Sequence, residues 1–142
     1  MRINLRLSVV WLMVWLVLCC CAIVPALADP IEALQGDWEC IALTEDAEDF
    51  IFILQFTAPG EVSYVAGWYE SEIAASYQGQ YSIEGDTLKL EMTDTESEDT
   101  LCGTFTYSLD EGKLVLTKES GDSLSWLYDT GIPMEFTARH SQ

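Results

Sequence analysis

The stretch from Tyr77 to Met92, Tyr-Gln-Gly-Gln-Tyr-Ser-Ile-Glu-Gly-Asp-Thr-Leu-Lys-Leu-Glu-Met, decides the fold of this chain. Its residues alternate between two faces on both sides of the Gly85-Asp86 pair, which is typical of two β-strands joined by a two-residue turn. The predicted cross-strand pairs are Ile83 with Leu88, Tyr81 with Leu90 and Gly79 with Met92. This register places the apolar side chains on one face, and a slip of one residue would turn them all toward water.

The same alternation continues along residues 36–136 and predicts an all-β domain. Predicted strands cover residues 36–43, 50–57, 62–68, 77–83, 87–92, 101–109, the residues after 112, and the stretch around Leu124, Trp126 and Tyr128. Residues 29–35 are compatible with a short helical turn, and residues 132–136 with a further short strand. Because a meander of short strands must dispose of its edges, we predict an eight-stranded antiparallel up-and-down β-barrel.

Other turns extend the predicted register beyond the central hairpin. The predicted pairs are Phe56 with Tyr64 across a Pro59-Gly60-Glu61 loop, and Tyr107 with Leu116 across a Glu111-Gly112 turn. Ile51 and Ile53 add apolar residues to the face opposite Phe52. The second strand is therefore predicted to be covered on both faces.

Residues 1–28 have the composition of a secretory signal peptide. Two arginines precede the almost wholly apolar run from Leu7 to Leu27, and Ala26-Leu27-Ala28 offers small residues at the cleavage positions. We therefore expect a secreted or extracytoplasmic protein, cleaved after Ala28, whose mature domain is residues 29–142. If the segment is not cleaved, it is about long enough to anchor the protein in a membrane.

The charge of the mature domain limits its partners. All 24 acidic residues of the chain lie in residues 29–142, whereas two of the six basic residues lie in the signal peptide, so the mature charge is 4 − 24 = −20. This charge repels phosphate groups, which argues against nucleic acid and anionic membrane surfaces as partners. After cleavage we expect a soluble domain with no membrane insertion.

The sequence shows no motif specific for enzyme chemistry, and a carboxylate pair of the kind used in glycoside hydrolysis stays open because acidic residues occur throughout the domain. The mature domain has one histidine, His140, near the C terminus, which gives no basis for a Ser-His-Asp or Cys-His arrangement. The acidic stretches 45–49 and 94–99 invite a calcium interpretation, but they lack the glycine and the spacing of an EF-hand loop. We therefore expect no catalytic residue, no metal and no cofactor, and we do not expect an enzyme.

Two cysteines, Cys40 and Cys102, lie in the mature domain and are candidates for one disulfide, because an even count is typical of exported proteins. Their strand phases point the other way, since Cys40 shares the inward phase of Trp38 and Cys102 shares the outward phase of Thr104. Both alternatives, a bridge and two free thiols, stay open.

The segment Leu34-Gln35-Gly36-Asp37-Trp38, followed by hairpins such as Tyr81 to Leu90, resembles the lipocalin-like (calycin-type) domains of bacterial secreted proteins. The resemblance covers residues 31–136. It implies a barrel in which Trp38 has a structural role and packs across the closed end, under an arginine for which Arg139 is the candidate.

Most aromatic residues of the domain fall on the predicted inward phase. Ordinary packing of a small barrel accounts for them, but tyrosines and tryptophans near one mouth would also suit a pocket, because each combines an apolar ring with one polar group. The candidate ligand-binding residues are Tyr64, Trp68, Tyr77, Tyr81, Tyr107 and Trp126. Ala66, Gly79 and Gly103 lie among them and would leave room for a ligand.

Two functions are therefore compatible with the sequence. The first is a secreted binding module that takes a small apolar or aromatic ligand in the barrel mouth. The second is a structural or protein-interaction domain with a filled barrel, located at the cell surface. A cavity of several hundred Å³ would favour the first, because ordinary ligand sites have that size.

Overall fold

A computed structural model describes residues 29–43, 49–68, 73–125, 128 and 131–139. Eight antiparallel strands follow one another around a closed barrel in chain order, and the last pairs with the first. The elements are α1 (Pro30–Leu34), β1 (Gly36–Leu43), β2 (Asp49–Ala58), β3 (Glu61–Trp68), β4 (Ile73–Glu84), β5 (Thr87–Asp94), β6 (Thr100–Asp110), β7 (Lys113–Gly121) and β8 (Pro133–Ala138). The predicted eight-stranded up-and-down barrel is confirmed.

The central hairpin has the predicted register. The observed pairs include Ile83 with Leu88, Tyr81 with Leu90 and Gly79 with Met92. Gly85 has a φ of 65°, which is the left-handed conformation that a two-residue hairpin turn requires. The β6–β7 turn is also as predicted, with Tyr107 opposite Leu116.

The identity of the eighth strand differs from the prediction. The stretch around Leu124 and Tyr128 forms no strand in the residues that the structure describes, and β8 is instead the short segment Pro133–Ala138. Leu124 and Ser125 are nevertheless buried. The alternation in this stretch therefore reflects burial of a loop inside the barrel, which sequence periodicity alone does not separate from a strand.

A bulge changes the predicted register between β2 and β3. The turn has two residues rather than three, so that Ala58 pairs with Glu61, and an irregularity after Phe56 then sets Phe56 opposite Val62. The predicted pair of Phe56 with Tyr64 is wrong, because Tyr64 lies opposite Leu54. The bulge restores the inward phase of both strands, so the predicted core faces are kept.

The helix α1 closes one end of the barrel. The Asp29 carboxylate caps α1 by accepting the Ile31 amide at 3.0 Å. Leu34 is fully buried, and the Trp38 indole donates to the Leu34 carbonyl at 2.8 Å. Trp38 thus ties β1 to the helix, which supports the structural role implied by the resemblance. Among the described residues, no helix combines the length and the apolar character needed to cross a membrane.

Arg139, the candidate arginine over Trp38, lies instead on the outer surface of the barrel. Its side chain is half exposed, and its Nε atom lies 3.3 Å from a carboxylate oxygen of Glu39. This ion pair joins β1 to the chain that follows β8. The pair is solvated, so its contribution to stability is about 0–1 kcal/mol.

The chain's own side chains fill the described interior of the barrel. The largest fully buried ones include Tyr64, Phe50, Phe52, Phe56, Phe105, Phe136 and Leu54. Two of the small residues predicted to leave room, Gly79 and Gly103, do not do so. A Cβ atom on Gly103 would lie 2.6 Å from the Phe105 ring, and one on Gly79 would lie 2.0 Å from the Glu91 carbonyl oxygen. Gly79 and Gly103 therefore permit close packing rather than a void.

Replacing Trp38 with alanine is expected to lower the free energy of unfolding by about 3–5 kcal/mol, since a large buried ring and its bond to Leu34 are lost together. Urea denaturation of the folded protein measures the loss. Trp38→Phe keeps a ring and is expected to cost less. A loss below about 1 kcal/mol for Trp38→Ala would show that Trp38 is not core.

Candidate functional site

The two ends of the barrel differ. The helix end carries α1 and the short turns at residues 59–60, 85–86 and 111–112. The opposite end, called the loop end below, is where β1, β3, β5 and β7 finish, and it carries the longer connections. Binding residues concentrate on longer loops held by a rigid scaffold, so the loop end is the place to look for a site.

The six predicted ligand-binding residues do not meet at one mouth. Tyr81 lies toward the helix end, where its hydroxyl accepts from the Gln35 side chain at 3.1 Å and its ring packs 4.9 Å from Phe56. Tyr107 is also at the helix end, since its amide donates to Asp86 in the β4–β5 turn at 2.8 Å. Only Tyr64, Trp68 and Tyr77 lie toward the loop end, and Trp126 lies outside the described residues.

The connection between β7 and β8 enters the barrel at the loop end. Leu124 and Ser125 are buried, and the Tyr64 hydroxyl donates to the Leu124 carbonyl. The Ser123 hydroxyl in turn bonds the Ser125 carbonyl at 2.8 Å, which fixes the shape of the connection. The Tyr64 hydroxyl is therefore satisfied by the protein's own backbone. A ligand could accept its hydrogen bond only if the bond to Leu124 were broken.

Aromatic rings pack continuously from this connection to the rim. Phe52 stacks on Tyr64 with ring centroids 6.5 Å apart, and the edge of Tyr128 meets Phe52 at 6.2 Å. Phe50 contacts Phe52 and the edge of Trp68, each at 5.0 Å. The predicted aromatic interior is thus a packed cluster, with Trp68 at its exposed end.

Burial keeps the polar groups of this cluster protonated. The Cys40 sulfur lies 3.9 Å from the Tyr128 hydroxyl. Burial raises the pKa of Cys40, and the bond to Tyr128 opposes this only in part. Burial, together with Cys40 and Glu135, raises the pKa of Tyr128 to about 12. The pKa of Tyr64 is raised too, again mainly by burial. Cys40 is therefore a poor nucleophile at neutral pH, because the thiolate is the reactive form.

The candidate disulfide is not formed. Cys40 is buried inside the barrel on β1, whereas Cys102 is exposed on the outer face of β6, and both are free. The two side chains therefore lie on opposite faces of the barrel wall, as their strand phases indicated. A bridge would require a change of face for one of them.

The second acidic stretch, residues 94–99, uses part of its charge to hold its own turn. The Asp94 carboxylate accepts the amides of Glu96 and Ser97 at 2.7 and 2.8 Å, and these bonds hold the Asp94 pKa below its usual value. Within the described residues, no group of three or more His, Cys, Asp or Glu side chains is arranged to hold a metal ion. The first acidic stretch, residues 45–49, lies almost wholly outside the described part.

Exposed apolar side chains gather at the loop end. The most exposed large ones are Ile41 (52%), Trp68 (40%), Ile73 (69%) and Ile132 (48%), and we call them the apolar rim. A row across four strands links Ile41 to Ile51, Ile51 to Gly67 and Gly67 to Ile73. The apolar pattern at Ile51 and Ile53 predicted cover on both faces of this strand, but both side chains are only half-buried on the outer face, and Ile51 lies in this row instead. The position of Ile73 was missed, because it depends on a bulge after Ala66 that pairs Ile73 with outward-facing Gly67.

A cleft opens in the barrel wall next to the rim. It lies between β1 and β8 and has a volume of about 460 Å³. Its lining residues are Glu39, Cys40, Ile41, Tyr128, Pro133, Glu135 and Thr137. We call it the seam cleft, because it lies where the first and last strands close the barrel. A second depression, of about 640 Å³, lies on the outer face of β2–β4 and is lined mainly by glutamines and hydroxyl residues.

Comparison of the chain with protein families, with curated proteins and with solved structures found no match. The lipocalin-like resemblance therefore stays a prediction. The argument for function depends on the geometry of the barrel, the apolar rim and the seam cleft.

Raising the pH above about 10 is expected to destabilise the protein, because tyrosines of the unfolded chain ionise there while buried tyrosines keep their protons. For Tyr128 the stabilising effect is present below about pH 10 and is lost as the pH rises through its folded pKa of about 12. Urea denaturation across this range should show a shallower fall for Tyr128→Phe than for the wild type. Equal slopes would contradict the burial of the Tyr128 hydroxyl.

Proposed function

We propose that this protein is an extracytoplasmic protein-interaction domain built on a filled barrel. The observation that carries the proposal is the contrast between its two surfaces. The described interior is packed with the chain's own side chains, whereas Ile41, Trp68, Ile73 and Ile132 are exposed together at the loop end. The row from Ile41 through Ile51 to Ile73 is continuous across β1 to β4, and exposed apolar patches mark interaction sites on soluble proteins.

The satisfied interior supports this function over binding within the barrel. The Tyr64 hydroxyl and the Trp38 indole, two of the polar groups that would orient a ligand, bond the backbone at Leu124 and Leu34. Among the described residues, no buried side-chain nitrogen or oxygen lacks a hydrogen-bond partner. A ligand site uses a few convergent polar groups, and the buried ones in the described interior are already bonded within the protein.

Binding of a small apolar or aromatic ligand is the second candidate. The observation in its favour is that Trp68 is exposed and Tyr77 half-buried toward the loop end, with the Tyr77 ring in contact with Tyr64. Movement of the connection between β7 and β8 out of the barrel would break the bond of Tyr64 to Leu124 and expose the aromatic cluster. This function therefore requires a rearrangement that the first candidate does not require.

The charge of the domain favours a basic partner. With a mature charge of 4 − 24 = −20, association with a basic polypeptide would be accelerated, whereas association with an acidic one would be slowed. The apolar rim would supply contact area for that partner. The surrounding acidic surface would favour basic partners and repel acidic ones.

Titration with a panel of apolar and aromatic small molecules is expected to give no saturable change in tryptophan fluorescence, because the interior is filled. Native mass spectrometry of the exported protein is expected to show the mass of the mature chain alone. A retained small molecule, or saturable quenching that Trp68→Phe reduces, would overturn the proposal and favour the second candidate.

Binding of a protein partner is tested by photo-crosslinking, with a photoreactive residue placed at Ile73 in the apolar rim. The matched control places it at Ser82, which is exposed on the same strand near the helix end. Cross-links to another polypeptide are expected from position 73 and not from position 82, and Ile73→Ser should weaken binding of the partner so identified. Equal labelling at both positions would contradict a site at the rim.

A further inference from the structure

The seam between β1 and β8 is the least completed pairing of the barrel. The pairs reported along it are Trp38 with Ala138 and Glu39 with Thr137, whereas β1 and β2 are paired from Gly36–Phe56 to Leu43–Asp49. β1 continues to Leu43 and β8 begins at Pro133, so the two strands run past the last pair without meeting. The seam cleft occupies this gap.

The backbone of β1 presents hydrogen-bonding groups to the cleft. The Asp37 carbonyl accepts the Arg139 amide at 2.8 Å, so the backbone groups of Asp37 point toward β8. Because these groups alternate in direction along a strand, those of Glu39 and Ile41 point the same way. Glu39 is opposite Thr137, and Ile41 is the first such residue beyond the last pair. Its amide and carbonyl therefore form an open strand edge.

The opposing edge of β8 offers fewer backbone hydrogen-bonding groups to the cleft. The Ala138 amide donates to the Gly112 carbonyl at 2.9 Å and so faces β7, which leaves the backbone groups of Glu135 and Pro133 toward the cleft. Pro133 has no amide hydrogen, so it cannot donate to a neighbouring strand. A strand entering the cleft would therefore find its donor and acceptor together on β1, at Ile41.

The side chains around the cleft define the residues that such a strand should carry. Glu39 and Glu135 line the outer side, together with the half-exposed Ile41. Glu39 is paired with Arg139, whereas Glu135 has no ion-pair partner among the described residues. The inner side is formed by Cys40 and Tyr128. Basic side chains pointing outward and apolar side chains pointing inward would fit both sides, and the stems of the basic residues would cover Ile41.

We propose that the seam cleft binds an extended segment of a partner polypeptide, with alternating basic and apolar residues, as a β-strand added to the edge of β1 at Ile41. The inference deepens the proposed function and depends on it. The main-chain bonds to β1 supply affinity, and the alternation of side chains supplies selectivity. A second copy of this chain is disfavoured as the occupant, because two mature domains of charge 4 − 24 = −20 repel each other.

The test uses the full exported protein and a blocked peptide of alternating lysine and valine. Amide hydrogen exchange followed by NMR, at physiological ionic strength, reports strand addition directly. We expect the peptide to slow exchange of the Ile41 amide by about tenfold or more, because the amide acquires a partner. The Glu91 amide on β5, which lies across the barrel and is already between paired strands, is expected to be unchanged.

Matched peptides separate strand addition from simple attraction between opposite charges. A peptide of the same composition with its lysines and valines in separate blocks keeps the charge but loses the alternation. A peptide N-methylated at alternate residues keeps the side chains but cannot donate to β1. Each is expected to bind about tenfold more weakly or worse, the cost of one or two lost main-chain bonds and misplaced side chains.

Two protein variants locate the site. Glu135→Gln is expected to weaken binding about threefold, because it removes a carboxylate that lines the cleft. Glu91→Gln removes the same charge from an exposed position on β5 and is expected to leave binding unchanged. Three results would each overturn the inference. They are an equal loss of peptide affinity in the two variants, equal affinity of the three peptides, and an Ile41 amide whose exchange rate does not change when the peptide is added.

The result also distinguishes failure of this inference from failure of the proposed function. If the partner cross-linked from position 73 depends on Ile73 but not on Glu135, the interaction domain stands and the seam cleft is not its site. If a small molecule is retained inside the barrel, the proposed function fails first. Protection of the Ile41 amide in concentrated protein without peptide, together with a dimer mass, would assign the edge to a second copy and overturn the peptide proposal.

Discussion

Closure of the barrel is the constraint on which the rest of this structure depends. Seven of the strand pairings join strands that follow each other in the sequence. The eighth, between β1 and β8, joins the two ends of the fold. Closure removes sheet edges only where this last pairing is made. Here it is made beside Trp38 and Glu39 and stops there, so the barrel is closed at the helix end and open along part of its seam toward the loop end.

The arrangement at the helix end explains why the seam closes on that side. Trp38 bonds the end of α1, and the Arg139 side chain and amide bond Glu39 and Asp37. Toward the loop end, Tyr128 lines the seam cleft from its inner side, beside Cys40. The connection between β7 and β8 therefore contributes both to the interior, through Leu124 and Ser125, and to the cleft, through Tyr128.

Much of the fold could be predicted from the sequence, because short alternating strands and glycine-containing turns fix register locally. The pairs around Gly85 and Gly112 follow from two-residue turns alone. The predictions failed where register depends on tertiary context: the bulge after Phe56, the bulge that turns Ile73 outward, and the buried loop at Leu124 that was read as a strand. The candidate site was the least predictable part, because strand phase separates inside from outside but does not say which end of the barrel a residue occupies.

Amide hydrogen exchange of the free protein tests the central claim, an open seam in a filled barrel, most directly. Ile41 lies within β1, between residues that are paired with β2, yet its amide faces the cleft. The account predicts that the Ile41 amide exchanges quickly while the amide of Cys40, which faces β2, is protected. Equal protection of both amides would mean that the seam is closed along its length, and would contradict the account.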